Sequence, residues 1–186
     1  QTVNEDAGPQ TVSHWATDIS SGPADESGQT LSFTLTHDND ALFSEEPALD
    51  AEGNLTYTPA PDMNGSATVT VTLTDDGGTA DGGADTSPEQ TFTLTVRPVN
   101  DPPAFVRGPG QTVNEDAGPQ TVPNWATEIA PGPADESDQS LTFDLSTEDG
   151  ALFSEGPALD ASGTLTYTPA PDANGSATIT VTLGDD

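Results

Sequence analysis

Acidic and amide side chains gather in five short clusters that could bind a metal ion: residues 4–6, 24–27, 61–65, 75–78 and 99–103. The chain carries 32 Asp and Glu against 2 Lys and Arg, which gives a formal net charge of -30. Because so few basic side chains balance them, the natural counter-charge is a dissolved cation. Hard carboxylate oxygens favour Ca²⁺ over softer metals. The sequence therefore predicts calcium binding at some of these clusters.

The same composition disfavours several partners and binding chemistries. A charge of this sign repels nucleic acid phosphates and anionic lipid surfaces, so we expect neither nucleic acid binding nor direct membrane insertion. No apolar run approaches the roughly 20 residues that span a bilayer. The chain has no Cys, which excludes disulfides and thiolate zinc sites. Its stiffness must then come from packing and from bound ions.

Histidine gives no catalytic constellation that both halves of the chain share. The two histidines, His14 and His37, stand where the second copy of the repeat described below has Asn124 and Thr147. A carboxylate pair that acts on a sugar stays open from the residues alone. No insertion in the repeat suggests a cleft, however, and we expect the protein not to be an enzyme.

An internal repeat decides the architecture that positions these clusters. Residues 1–10 recur unchanged 110 residues later, at 111–120. Within one copy, apolar residues alternate with threonine, as in 68–73 and 91–96, which is the pattern of half-buried strands. The strands predicted from these patterns lie near residues 1–4, 10–16, 29–36, 40–44, 53–58, 66–74 and 90–97.

About seven short strands in about 100 residues, with turns rich in Gly, Pro and Asn, predict an all-β fold of tandem Greek-key β-sandwiches. We place the first repeat at residues 1–99, a linker at 100–110 and the second repeat at 111–186. The proline-rich segment 98–103 predicts a short, stiff connection between the repeats.

Three motifs together resemble the cadherin-like, Ig-like β-sandwich tandem repeats of large bacterial surface adhesins. Residues 4–6 (NED) are similar to the early acidic motif of that family, residues 55–65 (LTYTPAPDMNG) to its LTYTPAPNFNG signature, and residues 99–103 (VNDPP) to its VNDAP join. In animal cadherins the corresponding linker is a calcium site shared by two domains. The resemblance therefore implies a Ca²⁺ site at the linker with these ligands: Glu5, Asp62, Asn100, Asp101, Asp135 and Asp185.

Departures from the cadherin pattern bear on the number of ions. Asn64 stands where cadherins usually have Glu, and Pro98 and Pro102 replace acidic and amide residues of the linker. Fewer carboxylates predict one or two ions per junction in place of three. The alternative interpretation is that these Asp and Asn residues initiate turns and keep the surface soluble.

The resemblance implies an extracellular spacer on the bacterial cell surface, stiffened by Ca²⁺, that holds a distal binding region away from the cell. Its expected partners are neighbouring repeats of the same chain. One alternative is an adhesive module that binds polysaccharide or like chains, as in a biofilm, and another is a filament subunit that assembles by strand donation. Exposed aromatic side chains would favour the adhesive module, but Trp15 and Trp125 are expected in the core.

The second repeat is expected to lack its final strand. The last strand predicted in the first repeat covers residues 90–97, and its counterpart would begin after Asp186. An unpaired edge at residues 177–183 would be an aggregation hazard. We therefore expect that the sequence continues into a longer repeat array or that a neighbouring chain inserts a strand.

Overall fold

The computed structural model describes the backbone of residues 1–186 and every side chain except that of Asp81. The chain divides into two compact units, Gln1–Val99 and Asn100–Asp186. Short β-strands and single 3-10 turns form both units, which confirms the all-β fold. Within the described part, no helix is long and apolar enough to cross a membrane.

The first unit is a two-sheet sandwich. Its strands are β1 (Thr2–Asn4), β2 (Gln10–Val12), β3 (Leu31–His37), β4 (Phe43–Leu49), β5 (Leu55–Pro59), β6 (Gly65–Asp75) and β7 (Gln90–Arg97). One sheet has the order β1-β7-β6-β3 and the other the order β2-β5-β4. All neighbouring strands are antiparallel except β1 and β7, which are parallel. The chain thus crosses between the sheets at four of its six connections, and only β4–β5 and β6–β7 are consecutive strands within one sheet, as in a Greek-key sandwich.

Alternating residues of these strands build the core of the first unit. In β6, every second residue from Ala67 to Val71 is buried, as the period of two requires. These residues pack with Leu55 and Leu94 from neighbouring strands. The predicted strand at residues 40–44 is wrong, because residues 40–42 form a 3-10 turn and the strand starts at Phe43. The second strand also ends earlier than predicted, at residue 12.

The second unit repeats this plan with a different set of strands. They are β8 (Ala104–Arg107), β9 (Gln120–Val122), β10 (Ala126–Ala130), β11 (Thr142–Thr147), β12 (Phe153–Leu159), β13 (Leu165–Pro169) and β14 (Ile179–Gly184). They form the sheets β12-β13-β9, β11-β14 and β10-β8. Among the strands that the structure describes, β14 is paired on one edge only, with β11. Residues 104–107, which we expected in a linker, are a strand of this unit.

The core of the second unit is smaller. Its buried residues are Ala126, Leu159, Leu165 and Tyr167. Leu165 retains 7% exposure, whereas its counterpart Leu55 in the first unit has none. The same sequence pattern therefore gives a sandwich of similar plan but less complete packing.

Candidate metal centre

Glu5 is a buried carboxylate at one end of the first unit. Pairing of β1 with β7 brings Asn4 opposite Arg97, and the backbone N–H of Glu5 donates to the Arg97 carbonyl at 2.9 Å. The Glu5 side chain, 2% exposed, accepts a hydrogen bond on Oε1 from the backbone N–H of Val99 at 2.5 Å. Its Oε2 is buried with no hydrogen-bond partner among the described residues. The sheet topology thus places the Glu5 carboxylate, with one hydrogen-bonded oxygen and one without a partner, beside the residues that follow β7.

Asp62, another predicted ligand, lies beside Asp6 in the same unit. The backbone N–H of Asp62 donates to Oδ1 of Asp6 at 3.2 Å, and one carboxylate oxygen of each lies within 4.8 Å of the other. Both side chains are exposed. Both residues have a positive φ, 59° and 54°, which Asp tolerates better than most residues. Asp6 belongs to the first acidic cluster but not to the ligands implied by the resemblance, and it is therefore a further candidate ligand.

The structure brings Asn100 and Asp185, two of the predicted ligands, together in the second unit. The Asn100 side-chain amide donates to Oδ1 of Asp185 at 3.1 Å, and Gln139 donates from Nε2 to Oδ1 of Asn100 at 2.8 Å. Oδ2 of Asp185 and Oε1 of Gln139 are buried without a hydrogen-bond partner in the described part of the chain. The arrangement leaves two buried oxygen donors beside Asn100.

Glu136, and not its neighbour Asp135, is the buried acid of the 3-10 turn Ala134–Glu136. Glu136 is 6% exposed, whereas Asp135 is exposed. Oε1 of Glu136 accepts the backbone N–H of Asp101 at 2.6 Å, and Oε2 is buried without a hydrogen-bond partner among described atoms. Gly132 lies so close to this Oε2 that a Cβ there would collide with it. The same glycine spacing precedes Glu26 in the first unit, which is only half-buried, so the spacing alone does not mark Glu136 as a buried acid.

The three carboxylates with a buried free oxygen fit a hard divalent cation. They belong to Glu5, Glu136 and Asp185, and the chain has 2 basic residues for 32 acidic ones. A buried anion without a counter-charge or a full set of hydrogen bonds is costly. Ca²⁺ binds carboxylate and amide oxygens of this kind. Within each unit, therefore, at least one buried carboxylate has an oxygen whose chemistry suits calcium.

Other acids of the chain are satisfied by the backbone and fit the turn interpretation instead. Backbone hydrogen bonds from Thr68, Asn54 and Ser140 hold the pKa of Asp38, Asp50 and Asp186 below the usual value. Asp160 has a lowered pKa for a similar reason, because Ser162 and Thr164 donate to it. Asp50 and Asp160 thus stabilise turns, whereas Asp38 and Asp186 accept backbone N–H groups from residues far along the chain. The two interpretations apply to different acids.

The one histidine cluster of the described side chains belongs to the first unit alone. His37 contacts Glu46 through Nε2, and its Nδ1 lies 3.7 Å from Asp40. In the second unit these three positions are Thr147, Gly156 and Gly150. The cluster is therefore not a property of the repeated fold.

Comparison with known proteins identifies the repeat. The family model described as a bacterial Ig domain matches residues 1–96 and again residues 100–186. No curated protein matches the chain. Among solved structures, the chain is similar to the human desmocollin-1 ectodomain, with 13% identity and a TM-score of 0.36 over 100% of this chain and 32% of that chain. The predicted tandem Ig-like bacterial repeats are confirmed by the two matches of the family model. Since the family model covers both units, the chain belongs to the bacterial Ig domain family.

Proposed function

We propose that the two repeats are an extracellular spacer of a bacterial surface protein, stiffened by Ca²⁺ at the linker. The spacer holds a distal binding region away from the cell, and its partners are neighbouring repeats. Membership of the bacterial Ig domain family supports a structural or adhesive module in place of an enzyme. The net charge of -30 disfavours nucleic acid as a partner.

The observation that carries the proposal is the pairing of buried acids with linker amides. Glu5 accepts the N–H of Val99, and Glu136 accepts the N–H of Asp101. One residue, Asn100, separates these two amides in the chain. Each acid keeps a second oxygen buried and without a hydrogen-bond partner in the described structure. A cation at these oxygens would neutralise the charge and hold the linker to each repeat.

The proposed ligands extend the set implied by the resemblance. The first repeat would contribute Glu5 and Asp62, together with Asp6. The linker and second repeat would contribute side-chain or backbone oxygens of Asn100, Asp101, Asp135, Glu136 and Asp185. Bound calcium, which takes six to eight oxygen ligands at roughly 2.3–2.6 Å, would neutralise the charge of these carboxylates. The positions of the ligand residues would determine where the linker is held.

The expected stabilisation is large for a small domain. Extracellular modules bind Ca²⁺ with a Kd of about 10⁻⁴–10⁻³ M. At a calcium concentration about 100 times Kd, one site adds roughly 2.7 kcal/mol to the free energy of unfolding. A typical domain is stable by only about 5–15 kcal/mol. Calcium should therefore shift the thermal midpoint measurably.

The exposed surface supports a spacer over a sugar-binding module. Among the described side chains, the large apolar residues that remain exposed are Met63, Val99, Val106 and Val113. None of them is aromatic, whereas sugar sites usually stack sugars on exposed aromatic rings. The adhesive alternative has no comparable observation in its favour.

Glu5→Gln tests the proposal with Glu115→Gln as the matched control. Glutamine keeps the size of Glu5 and an acceptor for the Val99 N–H but removes the charge. In EDTA we expect this variant to melt at or above the temperature of the unchanged protein, because a buried anion is gone. In about 10 mM Ca²⁺ it should melt below it, because a ligand is gone.

Glu115 occupies the equivalent position of the second unit and is exposed, so its substitution should leave the calcium-dependent shift unchanged. Calorimetry with and without EDTA measures both variants. If the two substitutions reduce the calcium shift equally, or if the unchanged protein shows no shift, the proposal is wrong.

A further inference from the structure

His37 is a buried histidine whose two ring nitrogens have different surroundings. It is the last residue of β3, and its side chain is 10% exposed. The ring packs edge to face on that of Phe43, with centroids 5.1 Å apart. Nε2 contacts Oε2 of Glu46, whereas Nδ1 is buried and has no hydrogen-bond partner among the described atoms. Packing thus holds the ring in place and leaves Nδ1 without a partner in the described part of the chain.

The contact with Glu46 determines which ring nitrogen carries the proton. An ionised carboxylate can only accept a hydrogen bond, so Nε2 of His37 donates its N–H to Glu46. In the neutral ring, Nδ1 then has a lone pair and no proton. This nitrogen lies 3.7 Å from Oδ1 of Asp40, which is beyond hydrogen-bond range. Two electron-pair donors therefore lie side by side with no positive charge between them.

His37 Nδ1 and Asp40 have the chemistry and spacing of two ligands for a transition-metal ion. Imidazole nitrogen suits Zn²⁺ and similar ions, whereas Ca²⁺ takes oxygen ligands. A zinc ion at roughly 2.0–2.2 Å from each atom would hold the two atoms about 3.4 Å apart. The Asp40 side chain is 92% exposed, so it can move by the small distance that this requires. Water would complete the coordination.

Glu46 has the position of an acid that orients a metal-binding histidine. Such a histidine almost always donates its other ring N–H to a carboxylate, a backbone carbonyl or water, which fixes the tautomer and the ring. The Nε2–H of His37 is donated to Glu46 in this way. The segment that carries Asp40 is also held, because Asp38, two residues earlier, accepts the backbone N–H of Thr68 at 2.7 Å. Both ligands thus lie on backbone that is already in place.

The second unit lacks all three side chains together. The equivalent positions are Thr147, Gly150 and Gly156. Between residues 41–51 and their counterparts 151–161, position 46 is the one difference, so an otherwise identical segment lacks the acid where the histidine is also absent. The three residues of the first unit thus form a set. The second unit also shows that the sandwich forms without them.

We propose that Nδ1 of His37 and the Asp40 carboxylate bind a divalent transition-metal ion of the zinc type, with Glu46 as the positioning residue. The ion would join the end of β3 to the 3-10 turn Asp40–Leu42, in the first unit alone. Two protein ligands predict weaker binding than the three or four of most zinc sites. The site uses none of the proposed calcium ligands, so it is independent of the proposed function.

The test is a zinc titration of the chain, followed by NMR of the imidazole ¹⁵N nuclei at about pH 7. Calcium at about 10 mM is present throughout, so that sites made only of oxygen ligands are occupied by the hard cation. The His37 Nδ1 resonance should shift with saturation as Zn²⁺ is added. His14, the exposed histidine of the same unit, should not respond and serves as the internal control.

Substitutions taken from the second unit keep the test clear of misfolding. His37→Thr introduces the residue type found at Thr147, and it should abolish the saturable zinc binding that isothermal titration calorimetry measures under the same conditions. Asp40→Asn should abolish it as well, because the ligand charge is gone. His14→Asn introduces the residue type found at Asn124 and should bind zinc as the unchanged protein does.

Glu46→Gln separates positioning from packing. Glutamine has the same size, but its amide can also donate to Nε2, so it no longer fixes the proton on that nitrogen. Zinc affinity should fall by about 10–100-fold. Without zinc, the ¹⁵N shifts of His37 should show a larger share of the Nδ1–H tautomer. An effect through packing alone would leave the tautomer ratio unchanged.

Three results would overturn the inference. The first is a His37 imidazole spectrum that does not change with Zn²⁺. The second is equal zinc affinity in His37→Thr and in the unchanged protein, which would show that zinc binds only to the acidic surface. The third is a His37 ring that is protonated on both nitrogens before zinc is added. The cluster would then be an ion pair with Asp40 and Glu46, and Nδ1 would have no lone pair for a metal.

Discussion

Glu5 and Glu115 occupy the same position in the two repeats, and residues 1–10 and 111–120 are identical. Glu5 is 2% exposed, whereas Glu115 is exposed. The difference comes from tertiary neighbours: β1 pairs with β7 in the first unit, while residues 112–114 form no strand in the second. Val99, which follows β7, then donates to Glu5. The burial of this acid is therefore determined by the residues that pack on it and not by its local sequence.

The opposite ends of the repeats show the converse. Glu136 is 6% exposed and accepts the N–H of Asp101, whereas its counterpart Glu26 is only half-buried. Here the second unit has the completed arrangement. In both cases the backbone N–H of a linker residue, Val99 or Asp101, donates a hydrogen bond to the buried acid. The linker is thus a structural part of each candidate metal site.

The largest expected effect comes from removing the core beneath β7. Leu94 is 1% exposed, so Leu94→Ala should cost about 2–5 kcal/mol in the first unit through the cavity it leaves. Calorimetry or denaturant unfolding followed by NMR should show the first unit unfolding earlier while the second is unchanged. Glu5 should become exposed in the same variant. Equal loss of stability in both units would contradict independent cores.

A smaller effect should separate Gly132, which faces Glu136, from Gly28, which has open space around it. A Cβ at Gly132 would meet the Oε2 of Glu136, whereas a Cβ at Gly28 would meet nothing within 4 Å. Gly28→Ala should therefore have little effect. Gly132→Ala should displace buried Glu136 from the Asp101 N–H, at a cost of about 1.5–3 kcal/mol for a hydrogen bond to a charged group. Denaturant unfolding in EDTA measures both, and equal costs would contradict the role of the Glu136 hydrogen bond.

The smallest effect concerns acid pH and the first unit alone. The Thr68 N–H lowers the pKa of Asp38 below 3.8, while the second unit has Glu148 there. A lowered folded-state pKa means that the ionised group stabilises the fold above pH 3.8. This contribution is lost as the pH falls through the folded pKa. Asp38→Asn should therefore reduce the acid sensitivity of the first unit.

The control for Asp38 is the pair Asp50 and Asp160, which have a lowered pKa in both units. Asp50→Asn should reduce the acid sensitivity of the first unit, and Asp160→Asn should reduce that of the second unit by a similar amount. NMR titration of the carboxylates and thermal melts between about pH 2 and 5, the range around the pKa of an unperturbed carboxyl group, measure the difference. An unchanged acid profile in Asp38→Asn would contradict the role of the Thr68 hydrogen bond.

The sequence predicts the strands better where side chains alternate than where turns decide the boundary. The Thr-apolar alternation of residues 68–73 lies in β6 as expected. The strand predicted at residues 40–44 failed because Asp40 starts a 3-10 turn and the real strand includes Glu45 and Pro47, which have poor strand propensity. Edge pairing with a register shift at Glu45 tolerates them.

The candidate site was predictable in part for a similar reason. Motif resemblance placed Asn100 and Asp185, which hydrogen-bond to each other. It selected Asp135, although the 3-10 turn exposes that residue and buries Glu136 beside it. Which of two adjacent acids points inward depends on turn geometry and on room above Gly132. Neither can be read from charge and spacing.

The length of the two-repeat chain in solution, with and without calcium, tests the central claim most directly. Small-angle X-ray scattering at low salt measures the maximum dimension and its spread. If calcium neutralises the acids bound to the linker, millimolar Ca²⁺ should increase the maximum dimension and narrow the distribution, and EDTA should reverse both. Magnesium at the same concentration should have a smaller effect, because it gives up its water ligands reluctantly. A scattering profile that is identical in calcium and in EDTA would contradict the account.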